Sequence, residues 1–150
     1  MESDHKSVVI LMADDDDDDY MLTMEAFQEA RLLNPLYRVK NGEELMDYLL
    51  RHGEYKNPED SPRPGLILLD LNMPRKDGRE ALKEIKTHEN LRNIPVLVLT
   101  VSGLEDDILQ SYDLGANSYI KKPTSFNELV EIIRTIGQYW LDIVELPDSQ

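Results

Sequence analysis

The chain has no cysteine, which excludes a disulfide framework and a thiolate metal site and suits a reducing cytoplasm. It also lacks any apolar stretch approaching the ~18 residues of a membrane span, and its first residues are acidic and polar rather than signal-like. A cytoplasmic protein with no membrane partner is therefore expected. Positive charge is scarce: 16 Lys and Arg stand against 30 Asp and Glu, for a formal charge of -14. A nucleic acid would be repelled, and no long basic run offsets that, so nucleic-acid binding is not expected. Histidine is sparse too, and His5, His52 and His88 are isolated from one another. What remains is 150 residues, 41% apolar, enough to bury the core of one domain.

Short apolar runs alternate with helical patterns along the whole chain. The pattern predicts strands near 8–13, 36–39, 66–70, 94–100 and 117–121, with helices near 18–30, 42–52, 78–89, 104–114 and 125–144. Asn41-Gly42 and Asp77-Gly78 open two of the helices, and Gly115 closes another. Five such units predict an α/β fold, a doubly wound parallel sheet with helices on both faces. Right-handed crossovers then bring all strand carboxyl ends to one edge. The 36–39 run is the weakest and is expected at a sheet edge. Residues 53–65 hold three prolines and two glycines and read as a long surface loop. The acid run Asp14 to Asp19 would ordinarily be solvated and disordered. Here an apolar strand leads in, and Tyr20, Met24 and Phe27 follow at helical spacing, so it reads as a strand-to-helix turn.

The strand ends carry the chemistry. One run enters Asp14-Asp15, another Asp70, another Thr100, and the last Lys121-Lys122-Pro123. In an open parallel sheet the functional crevice lies at that edge. Carboxylates about 4 Å apart repel by about 1 kcal/mol in water, and by several times that near a protein surface. A divalent cation among Asp14, Asp15 and Asp70 would relieve this, and hard oxygen donors favour Mg²⁺ or Mn²⁺. Lys122 offers a point charge for a phosphoryl oxygen and Thr100 a rotatable hydroxyl. Together they suit metal-assisted phosphoryl transfer centred on Asp70.

These residues, with Leu69-Asp70-Leu71-Asn72-Met73-Pro74, Leu99-Thr100 and Tyr119-Ile120-Lys121-Lys122-Pro123, resemble the receiver domain of response regulators. The resemblance spans about residues 8–136, with a C-terminal helical extension at 137–147, and implies a single receiver domain over 1–150. It implies a flavodoxin-like sheet of order 2-1-3-4-5 and phosphorylation of Asp70 by the phosphohistidine of a sensor kinase. It further implies that Asp15 and Asp70 ligate Mg²⁺ by side chain, Asn72 by its carbonyl, and Asp14 through water. Lys122 and Thr100 would bind the phosphoryl group, and Tyr119 would be the aromatic of the switch. Such a protein is a phosphoacceptor rather than an enzyme. Lys121 is set aside because one step along a strand reverses the side chain. Val101 stands where a smaller residue is commoner and is expected to narrow access to the site.

Two other readings use the same residues. A haloacid-dehalogenase-type phosphatase would place its nucleophile at Asp14, after the first strand, and needs a late acidic motif that does not follow Lys122. A degenerate receiver would serve only as an interaction module, against which the complete acid, Thr and Lys set argues.

The loop around Tyr55-Lys56-Asn57-Pro58 and the tail Gln138-Tyr139-Trp140-Leu141 are similar to single-domain regulators paired with phytochrome-type histidine kinases. A sensor histidine kinase is thus the expected partner, with a histidine phosphotransfer protein as a further partner class. A straight final helix over 125–144 would overhang the sheet. Its stripe Leu129, Ile133, Ile136 and Trp140 would face the core, leaving Ile132, Tyr139 and Ile143 on a neighbouring face. That apolar remainder predicts a homodimer through the C-terminal helix, unless the tail folds back onto its own domain.

Overall fold

Five parallel strands form one sheet in the order β2-β1-β3-β4-β5 in the computed structural model, which describes residues 8–143 and 146–147. The strands are β1 (Ile10–Ala13), β2 (Leu36–Val39), β3 (Leu66–Leu69), β4 (Val96–Thr100) and β5 (Ser118–Lys121). Five helices connect and close it: α1 (Asp17–Glu29), α2 (Gly42–Leu50), α3 (Gly78–Thr87), α4 (Glu105–Asp113) and α5 (Phe126–Ile136). This is the doubly wound order that the receiver resemblance implies. Among the described residues no helix is long and apolar enough to cross a membrane.

Alternation along the strands divides the core in two. Leu11, Ile67, Leu69, Val96 and Val98 pack with Leu45, Met46, Leu82 and Ile85 of α2 and α3 on one face. Ile10, Met12, Leu66, Leu68 and Leu97 pack with Phe27, Val130 and Ile133 of α1 and α5 on the other. Strands β1, β3 and β4 are buried throughout, so near-continuous apolar runs are what they need. Strand β2 is mostly half-buried, as its place at the edge requires. Residues 53–65 contain one short 3₁₀ turn, Gly53–Tyr55, and are otherwise loop.

Helix starts are fixed by side chains that satisfy the first free N–H groups. Asp16 caps α1 by accepting from Asp18 and Asp19, and Asn41 caps α2 by accepting from Glu44. Asp77 caps α3 with Glu80 reciprocating, and Ser125 caps α5. Several ends differ from expectation by one to three residues. Arg51 ends α2 in the left-handed region, φ 59°, and Pro95 holds the start of β4 to Val96.

The last helix is the main correction. It is α-helical only to Ile136 and continues as a π-helical stretch, Gly137–Ile143. A π turn returns to the same face after five residues rather than four. The side chain buried after Ile136 is accordingly that of Leu141, 1% exposed, and not that of Trp140, which is half-buried. Further back the core takes Val130 fully and Leu129 only in part. A side chain at Gly137 would come within 2.8 Å of Leu32, so the helix passes close to the end of α1 there. Tyr139 is left exposed and Ile132 half-buried, while the side chain of Ile143, Val144 and His5 lie outside the described residues.

Glycine is required where α3 begins. A Cβ on Gly78 would lie 2.4 Å from the carbonyl oxygen of Asp70 and 2.7 Å from the Cα of Leu71, both backbone atoms that cannot swing away. Gly78→Ala is therefore expected to cost about 1–3 kcal/mol of stability through overpacking. Urea denaturation measures it, and an unchanged midpoint would show that the α3 start tolerates a side chain.

Candidate functional site

The carboxyl ends of β1, β3, β4 and β5 converge on one acidic pocket. Asp14 and Asp15 follow β1, Asp70 follows β3, Thr100 ends β4 and Lys122 follows β5. Carboxylate oxygens of Asp14, Asp15 and Asp70 all lie within 4.8 Å of one another. Thr100 Oγ1 donates to Asp70 Oδ1 at 2.8 Å, inside the protein. Lys122 Nζ donates to Asp14 Oδ2 at 2.7 Å and stands 3.5 Å from Asp70 Oδ2. The backbone N–H of Asn72 donates to Asp70 Oδ1 at 3.4 Å. Lys121, one residue away, is exposed, as the reversal along a strand demands. Val101 is exposed beside Thr100.

Burial pushes the Asp14 carboxyl up, and neither the Lys122 ammonium nor the Asp16 N–H restores it, while Asp70 adds to the rise. Burial also works against the charge on Lys122, yet its hydrogen bonds to Asp14 and Asp19 and the attraction of Asp14 and Asp70 hold it above the usual lysine value. Both shifts favour the protonated form, at Asp14 chiefly through burial and at Lys122 through its carboxylate partners.

Asp19 is the residue the sequence reading missed. Its Oδ2 accepts from Lys122 Nζ at 2.6 Å, from the first turn of α1. Asp16, as helix cap, turns its own oxygen toward the helix instead. Arg38 of β2 was missed as well. Its side chain, 10% exposed, donates from Nε to the Asp14 carbonyl at 3.0 Å, pairs with Asp17 at 2.8 Å and lies over the Tyr20 ring. It thus pins the acid turn from the edge of the sheet.

Tyr119 stands apart from the carboxylates. Its ring is half-buried against the α2–α3 side of the core, and its hydroxyl donates to the Ser102 carbonyl at 2.9 Å. From there a polar chain continues. Ser102 Oγ donates to Asp107 of α4 at 2.5 Å, and Arg79 of α3 donates to Asp107 at 2.9 Å and to its helix cap, Asp77, at 3.2 Å. The Ser102 hydroxyl and Arg79 hold the Asp107 carboxyl below the usual range. This network ties the starts of α3 and α4 to the loop after Thr100.

A match to the response regulator receiver domain covers residues 10–134, most of the chain. The chain belongs to the response-regulator receiver family. It is 44% identical over 126 residues to response regulator Rcp1 of Synechocystis sp., spanning 84% of each protein. Among solved structures it is similar to the phosphorylated cyanobacterial phytochrome response regulator RcpA, at TM-score 0.87 and 43% identity, covering 95% of this chain and 99% of that one. The Mn²⁺-bound form of Rcp1 is similar at TM-score 0.84 and 42% identity, covering 94% and 99%. The match decides between the receiver and the phosphatase reading in favour of the receiver.

Three carboxylates within reach of a single point, without histidine or cysteine, fit a hard divalent cation. Adding Mg²⁺ or Mn²⁺ is expected to raise the thermal midpoint, since a ligand at about 100 times its Kd stabilises by about 2.7 kcal/mol. Asp15→Ala should abolish most of that gain and Asp14→Ala less. Equal midpoints in metal and in chelator, by calorimetry, would contradict a metal site here.

Proposed function

We propose that this receiver takes a phosphoryl group onto Asp70 from the phosphohistidine of a sensor histidine kinase and uses it to reset an interaction face. The observation that carries this is the position of the Asp70 carboxylate, between the Thr100 hydroxyl and the Lys122 ammonium. In the transfer a carboxylate oxygen of Asp70 bonds to phosphorus as the P–N bond to histidine breaks, and the freed ring nitrogen takes up a proton. Lys122 and the Thr100 hydroxyl meet the phosphoryl oxygens, where charge builds up. Mg²⁺, or Mn²⁺, would be held by Asp15 and Asp70, by the Asn72 carbonyl and, through water, by Asp14. Bound there, it would neutralise phosphoryl charge. The chain acts on its own carboxylate and is a phosphoacceptor rather than an enzyme for outside substrates.

Switching follows from the polar chain. When Thr100 turns its hydroxyl from Asp70 Oδ1 to a phosphoryl oxygen, the loop from Val101 to Leu104 shifts with it. That loop carries the Ser102 carbonyl that holds Tyr119 and the Ser102 hydroxyl that holds α4. An element with two arrangements a few kcal/mol apart is biased in this way.

The relatives named for phytochrome signalling support a phytochrome-type kinase as donor. A histidine phosphotransfer protein would be a further partner, and the cytoplasm the compartment. Residues 1–150 would then make up a single receiver domain, with the stretch after Ile136 as its extension. That extension supports a homodimer: Tyr139 is 51% exposed and stacks edge-on against Trp140, with ring centroids 5.5 Å apart. Beside them runs an almost wholly apolar groove of about 370 Å³, formed with Ile120, Ile132 and Ile136. A second copy's matching face suits this patch, since a two-fold interface is self-complementary.

Asp70→Asn is expected to fold normally and take no phosphate from any of a panel of purified kinases, while Thr100→Ala accepts phosphate but binds partners alike with and without it. Undiminished acyl phosphate in Asp70→Asn by mass spectrometry would defeat the assignment. For self-association, wild type should sediment as a dimer and Tyr139→Ala with Trp140→Ala as a monomer. Two monomers at matched concentration, with and without phosphate, would leave the tail a cover only.

A further inference from the structure

A cavity of about 300 Å³ opens at the amino-terminal edge of the sheet, on the side away from Asp70. It lies between the end of α2, the loop of residues 51–65 and the connection from α3 to β4. The separation along β3 alone, from Leu66 to Asp70, is roughly 13 Å at about 3.3 Å per residue. The floor is apolar and packed into the core: Tyr48, Leu91 and Ile94 are 2–3% exposed. Tyr48 is held there because its hydroxyl donates to the Pro62 carbonyl at 2.8 Å.

The rim has the opposite character. Arg51, Arg63 and His88 line it and, among the described residues, no acidic residue does, in a chain of net charge -14. Among the described residues no carboxylate lies within ion-pair distance of any of the three. Arg63 donates from Nη2 to the Asn90 carbonyl at 2.8 Å, and Arg51 makes one long contact, 3.4 Å, to the Ser61 carbonyl. Most donors of both guanidiniums therefore have no protein acceptor in the described structure. His88 is set by its own turn, its Nδ1 accepting from the Asn90 N–H at 3.1 Å, which leaves the neutral ring's proton on Nε2.

We infer that this cavity is a ligand site, separate from the phosphoacceptor, for a small organic anion: a carboxylate or phosphate head on Arg51 and Arg63, with an aromatic or branched body over Tyr48, Leu91 and Ile94. The two guanidiniums supply the planar forks that such oxyanions match. The volume sits at the lower end for small-molecule sites. Loss of the head group's charge removes the recognition, and loss of the body removes the burial.

The test is an amide NMR titration of the full chain with benzoate and, in a second arm, phenyl phosphate, with benzamide and inorganic phosphate as controls. Either acid should give saturable shifts at Arg63, Asn90 and Leu91 in the millimolar range, while both controls bind at least about tenfold more weakly, as expected for a lost charge-assisted contact or lost apolar burial. Which acid binds tighter tells a carboxylate site from a phosphate site. Arg51→Ala with Arg63→Ala should fold, both side chains lying at the surface, and lose the shifts about tenfold or more. No saturable shift at these amides, equal shifts with benzamide or with inorganic phosphate, or unchanged binding in the double variant would each overturn the site.

Discussion

One ammonium stands among more carboxylates than it can neutralise, and the rest of the molecule is arranged around that imbalance. Lys122 donates to Asp14 and Asp19 and faces Asp70, while Asp15 completes the acid group. Left alone, such crowding costs free energy at every pair. It persists because the acids are fixed by elements whose stability comes from elsewhere: β1 and β3 are buried on both faces, and α1 and α3 are capped by their own acids. The core holds the charges together.

Topology explains why those residues meet although they lie far apart in sequence. With all strands parallel, every carboxyl end falls on one edge. Hydrogen bonds then set fine positions. The Asn72 N–H and the Thr100 hydroxyl both reach Asp70 Oδ1, and Gly78, whose N–H donates to the Leu71 carbonyl at 2.9 Å, lets α3 begin directly against the acceptor loop. Beyond the site, Ser102, Asp107 and Arg79 carry the connection outward to α4, so a change at Thr100 has a physical route to the surface.

The strand ends were legible in the sequence because each apolar run stops at an acid, a hydroxyl or a lysine. Right-handed crossovers convert that list into a place. Asp19 was not legible, because it is one of six successive acids. Only the cap at Asp16 and the resulting phase of α1 reveal which acid faces Lys122. Arg79 and Asp107 were hidden for a related reason, lying 28 residues apart on two helices that no periodicity relates. The last helix misled in a third way: a 3.6-residue stripe chose Trp140, whereas the π stretch after the close pass of Gly137 by Leu32 buries Leu141. A pattern of spacing carries no information about a local change in helix winding.

Metal affinity measures the charge imbalance directly. Manganese binding to wild type and to Lys122→Met, followed by electron paramagnetic resonance at neutral pH, compares the acid cluster with and without its one ammonium. Removing the competing positive charge should tighten Mn²⁺ binding. Equal or weaker binding in Lys122→Met would show that the ammonium and the cation do not share the same carboxylates.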